Sequence, residues 1–189
     1  MWMTTLNKIR EHSPCAEGWK KLLEHLGKTK ADDDPLSIIE ILDSNGFDDA
    51  LWCLRTVDDR DREIRLLAVE FARAVKHMMH DPRSIEALDV AERYANGLAT
   101  ASELAAARAA AALASTEGSA ARAAAWAADG DAVLAAAAAR AAAADAAAQM
   151  VDWDANCPWD GYAPAAAVAA SVWEAAAAEQ EEKLREIAS

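Results

Sequence analysis

Three features of this sequence predict an all-α fold: alanine takes over after Leu98, apolar residues recur at three- and four-residue steps, and no useful stretch alternates apolar with polar residues. Alanine is the best helix former, and its methyl group lets neighbouring helices approach closely. Connections of about two to six residues favour antiparallel neighbours. The expected architecture is a single domain over residues 1–189, about nine or ten antiparallel helices in stacked hairpins, with a conventional helical half at 1–97 and an alanine-rich half at 98–189.

Two short helices are expected first, around Leu6 to Glu11 and Glu17 to Leu26, with Gly27 ending the second. Asp34-Pro35 reads as an N-cap followed by proline at the first helical position, and the helix carrying Leu36, Ile39 and Leu42 runs to a stop at Asn45-Gly46. Asp48 is expected to cap the next helix, with Phe47 and Trp52 placed as a hydrophobic staple. From about Asp61 to His80 the stripe Ile64, Leu67, Ala68, Phe71, Val75, Met78 and Met79 predicts one helix packed on a core. Asp81-Pro82 repeats the cap-and-proline start, Asn96-Gly97 repeats the stop, and Thr100 with Glu103 forms a capping box. Glu117-Gly118-Ser119 and Asp129-Gly130-Asp131 interrupt the alanine-rich half. A loop is expected from about Asp152 to Tyr162, after which Pro164 opens a last helix ending near Ile187. Ala-Ala-Arg-Ala-Ala recurs around Arg108, Arg122 and Arg140, a short repeat that suits similar helices packed side by side.

The formal net charge is −13; residues 1–99 carry 14 basic and 19 acidic groups, and residues 100–189 carry 5 and 13. Nucleic acid and anionic membranes are bound through a positive field that releases counterions, so neither is an expected direct partner. The partner such a surface fits is a basic protein surface. Runs such as Ala135 to Ala139 and Ala175 to Ala178 supply no nucleophile, base or metal ligand. They point to a protein that binds rather than catalyses, without enzyme activity, cofactor or metal. Cys15, Cys53 and Cys157 are too scattered for a disulfide framework. No basic stretch leads into an apolar run at the start, and Arg140 and Asp145 interrupt the longest apolar stretch, so neither a leader nor a membrane span is expected. The cytoplasm is the expected location.

The stretch Arg62-Glu63-Ile64-Arg65, then Phe71-Ala72-Arg73, Asp81-Pro82-Arg83-Ser84-Ile85-Glu86-Ala87 and Ala91-Glu92-Arg93-Tyr94-Ala95-Asn96-Gly97, followed by alanine-arginine helices, resembles bacterial immunity proteins of the Imm-5-like type. The resemblance covers roughly residues 60–150. It implies an all-helical binder whose task is to neutralise a toxin, and it implies no catalytic residue.

Several constellations admit two readings. His77 and His80 have a spacing that could hold one face of a metal site, or they are polar residues finishing a helix at its negative end beside the cap Asp81. His12 and Cys15, across Ser13-Pro14, are a ligand or nucleophile–base pair, or simply a turn leading into the next helix. Trp19 and Trp52 lie in apolar helical settings and are expected in the core. Trp153, Trp159 and Tyr162 lie among Asp152, Asp154, Asn156 and Asp160. Aromatic anchors ringed by carboxylates suit a hot spot for a basic partner, or the rings fold under the loop and cover the alanine core.

Acidic groups gather at the helix connections: Asp32 to Asp34, Asp48-Asp49, Asp58-Asp59 with Asp61, Asp129 with Asp131, and Asp152 to Asp160. Capping uses a single residue per helix. The surplus is either a solvated surface or an imitation of spaced phosphates that fills a basic groove. If connections alternate between the two ends of a zigzag, one end gathers Asp48, Asp49, Asp81, Glu117, Asp152, Asp154 and Asp160. The expected partner-binding residues are Asp152, Trp153, Asp154, Trp159, Asp160, Asp48 and Asp49. The expected function is non-enzymatic inhibition of a basic, nucleic-acid-acting target: a toxin, a nuclease or a nucleic-acid-guided defence complex. The alternatives are a phage-encoded, anti-CRISPR-like nucleic-acid mimic, a helical assembly module forming a homo-oligomer through its alanine faces, and a metal-binding enzyme or sensor using Cys15, His12, His77 or His80.

Overall fold

Ten α-helices among the described residues make the fold all-α, as the alanine content and helical periodicity predict. The computed structural model describes residues 1–114, 118–154 and 165–189, and only the backbone for 146–154 and 165–169. The chain forms two compact units, Met1–Asp61 with Glu181–Ser189, and Arg62–Gln180. The composition shift at Leu98 falls inside the second unit.

The first unit contains β1 (Met3–Thr4), α1 (Leu6–Glu11), α2 (Ala16–His25), β2 (Leu36–Ser37), α3 (Ile38–Asn45), α4 (Phe47–Cys53) and a 3-10 turn at Leu54–Thr56. Leu6, Ile9, Ile38, Ile41, Leu51 and Leu54 form its core, and α2 packs on α3 and α3 on α4. The end of the last helix, α10 (Ala165–Ala188), belongs to this unit: Leu184 and Ala188 are fully buried, and Trp2 N–H donates to the Ala188 carbonyl at 2.9 Å.

Two expected helix starts fail here. Ser37, not Asp34, caps α3, its Oγ accepting from Glu40 N–H at 3.0 Å. Leu36 is held extended because Leu36–Ser37 pairs antiparallel with Met3–Thr4, a two-residue ladder where the sequence predicts no strand. Likewise Gly46 (φ 99°, ψ 177°), not Asp48, both closes α3 and opens α4. The staple is therefore not formed: with Gly46 as cap, its two positions fall on Asn45 and Ala50 rather than on Phe47 and Trp52. Phe47 is buried, whereas Trp19 and Trp52 are only half-buried. The Arg55 guanidinium covers the Trp52 ring at 4.7 Å, and Trp2 is the buried tryptophan of this unit.

The second unit is built from α5 (Asp61–Ala74), α6 (Pro82–Ala95), α7 (Ala101–Ala114), α8 (Ser119–Asp129) and α9 (Ala132–Asp154), together with α10 up to Gln180. Of the predicted stripe α5 buries Leu67, Ala68 and Phe71, while Ile64 and, beyond the helix, Met78 are only half-buried; Val69 and Ala72 are buried besides. The helix ends at Ala74 rather than near His80, and Lys76–Met78 tightens into a 3-10 turn. Pro82 opens α6 and needs extended backbone at Asp81 (φ −81°, ψ 121°), and Met79 (φ −88°, ψ 116°) is extended as well. Val75 and Met79 nevertheless remain buried.

The remaining caps follow the sequence. Asp81 accepts from Arg83 N–H at 2.8 Å, with Pro82 at the first helical position. Glu103 N–H donates to Thr100 Oγ1 at 3.2 Å while Thr100 N–H donates to Glu103 Oε2 at 2.8 Å, a reciprocal capping box. Helices α6, α7 and α8 pack on one another and α9 lies along α8. On α8 Ala120, Ala121, Ala123, Ala124, Ala127 and Ala128 are all buried, so methyl groups set the close spacing. Asp152 to Asp154 are helical rather than part of a loop, because α9 runs on to Asp154. No helix among the described residues is long and apolar enough to cross a membrane.

Candidate functional site

Carboxylates at the helix ends are the groups that the sequence singles out, and the structure sorts them by what each one touches. Asp48 and Asp49 lie in the first turn of α4, where the helix dipole favours negative charge. Asp49 is half-buried: its Oδ2 accepts from Asn45 Nδ2 at 2.8 Å, and the same amide group donates to the Gly18 carbonyl at 2.8 Å. A Cβ at residue 18 would lie 2.6 Å from that Asp49 oxygen, so glycine lets the carboxylate reach α2. Asn45 of α3 therefore fastens α2 and α4 together, with Asp49 as its acceptor on α4. Asp48 is exposed.

Elsewhere in the first unit, basic side chains meet the aspartates. Lys28 Nζ lies 2.7 Å from Asp32 and 2.8 Å from Asp34, while Asn7 Nδ2 donates to Asp33 at 2.9 Å. The bond from Lys28 holds the Asp32 carboxyl below the usual carboxylate range, and the Asp32 and Asp34 acceptors raise Lys28. Lys8 pairs with Asp58, and Arg185 pairs with Asp43 at 2.7 Å and Glu181 at 3.0 Å. The clusters at Asp32 to Asp34 and at Asp58 are thus partly neutralised within the unit.

In the second unit Asp81 caps α6 and pairs with Arg83, Arg108 pairs with Asp129, and Asp131 accepts from Leu134 N–H at 3.0 Å. Ser119 Oγ donates to Asp145 at 2.9 Å and accepts from Arg122 at 2.7 Å. Asp152 and Asp154 are different, for they stand in the last turn of α9, which contains no basic residue. That is the negative end of the helix dipole, where carboxylates do not serve as caps. Of the seven predicted binding residues, Asp48 and Asp49 thus open α4, and Asp152, Trp153 and Asp154 close α9. Trp159 and Asp160 lie outside the described residues.

Trp126 is a feature that sequence reasoning left without a role. It is 37% exposed on α8, a helix whose only other exposed positions are Arg122 and Asp129, one turn away on either side. The signal was a large ring alone in an alanine helix; which side of the helix faces solvent depends on the packing of α6, α7 and α9.

The residues named for the alternative chemistries have local places in the fold. His77 and His80 are both exposed around the 3-10 turn. His12 Nδ1 lies 3.0 Å from the Lys8 carbonyl, and Cys15 Sγ accepts from Gly18 N–H at 3.3 Å, so each is engaged at its own helix end. Burial, reinforced by the Asp49 charge, pushes the Cys53 thiol up to about 12, leaving it inert at neutral pH. Among the described residues no three His, Cys, Asp or Glu side chains form a group able to hold a metal ion. No protein-family model matches the chain, and neither a curated protein nor a solved structure matches it.

Proposed function

We propose that the protein is a non-enzymatic inhibitor that binds a basic surface on a nucleic-acid-acting protein, as the resemblance to immunity proteins over roughly residues 60–150 implies. The observation that carries this reading is the position of Asp152 and Asp154 in the last turn of α9. A carboxylate in the last turn of a helix opposes the helix dipole. Charge retained where it opposes folding is better explained by a partner than by the helix itself. The adjoining residues Trp153, Trp159 and Asp160 would supply aromatic anchors and further charge.

The net charge of the whole chain has the same sign. Lys8, Lys28, Arg108 and Arg185 all meet carboxylates, while the chain as a whole carries −13. Such an excess steers a basic partner towards the protein and repels nucleic acid. Exposed Asp48 adds to it, whereas Asp49 contributes mainly as a clasp between helices. On this reading the target, and with it this protein, belongs to the cytoplasm.

The test starts with capture of the target from a host lysate on the immobilised protein at near-physiological salt, followed by mass-spectrometric identification. A basic, nucleic-acid-acting protein is expected. Association rates are then measured at low and high salt for two triple variants. Asp152→Asn, Asp154→Asn and Asp160→Asn together should slow association about tenfold at low salt and flatten the salt dependence. The triple change of Asp58, Asp59 and Asp61 to Asn should matter less. Equal effects, no effect from the first set, or a target without a basic surface would overturn the reading.

A further inference from the structure

We draw no further inference here: the strongest candidate, the stripe of exposed alanines on the outward face of α7 at Ala105, Ala106 and Ala109, carries nothing because it is a small-residue stripe and no second observation among the described residues shows what covers it.

Discussion

The guanidinium of Arg65 occupies the space that a side chain at Gly130 would need, with Cζ, Nη1 and Nη2 each 3.0 Å from the position of a Cβ there. Arg65 Nη1 also donates to the Ala128 carbonyl at 2.7 Å, placing a positive charge on the C-terminal end of α8. Gly130 itself is left-handed, φ 81°. Glycine thus suits this position twice, by its backbone conformation and by the room it leaves for the tip of the arginine.

Gly130→Ala should therefore destabilise the protein by more than the roughly 1–2 kcal/mol that a left-handed backbone alone costs a side chain. Gly97→Ala is the control, since Gly97 has φ 71° but nothing within 4 Å of its Cβ position. Urea unfolding of both variants, alone and with Arg65→Ala, separates the two costs. The excess at Gly130 should shrink when Arg65 is removed, and equal losses at the two glycines would show that the arginine exerts no steric demand.

Phe71 is 2% exposed at the centre of the α5 stripe. Phe71→Ala should cost about 3–5 kcal/mol, because it removes a buried ring and leaves a cavity. A loss below about 1 kcal/mol in denaturant unfolding would place the core elsewhere.

The Lys28–Asp32 pair gives stability a defined dependence on pH. Asp32 is held below its ordinary value, so its contribution is present above the unfolded carboxylate value of about 4 and is lost as pH falls through the lower folded value. Lys28 is raised, so its contribution is present below about 10.4 and is lost as pH rises through the higher folded value. Asp32→Asn should lower the urea midpoint at pH 7 slightly, because the pair is partly solvent-screened, and the gap should close in strong acid. A gap of equal size near pH 2 would mean that the loss is not electrostatic.

The cysteines should differ in reactivity. Cys15 is exposed and Cys53 is buried with its thiol pushed up to about 12. Brief treatment of the native protein with iodoacetamide at neutral pH, read peptide by peptide, should label Cys15 and spare Cys53 until denaturant is added. Early labelling of Cys53 would show that the first unit opens readily.

What the sequence revealed follows the range of the interactions concerned. Asp81 with Pro82, Thr100 with Glu103, and the stops at Gly97 and Gly130 are made by groups two to four residues apart, so local chemistry suffices to read them. The true cap Ser37 was hidden because the preceding residues are fixed by pairing with Met3–Thr4, and two-residue strands have no periodicity to detect. At the candidate site, the positions of carboxylates near helix ends were legible, but their partners were not. Arg185 reaches Asp43 from the other end of the chain, and Asp49 is taken up by Asn45 on one side and Gly18 on the other. Only the folded chain distinguishes an acid presented to solvent from one consumed by packing.

The hydrogen bond between Trp2 and Ala188 has a consequence for the order in which the protein is made. Residues 62–180 form one contiguous body, whereas the first unit is assembled from segments on either side of it. The first unit must wait, since Leu184 and Ala188, which follow the whole of the second unit in the chain, complete its interior. Until then residues 1–61 lack the side chains that close their core. The part begun first is finished last, and its completion closes a loop that spans the whole of the other unit.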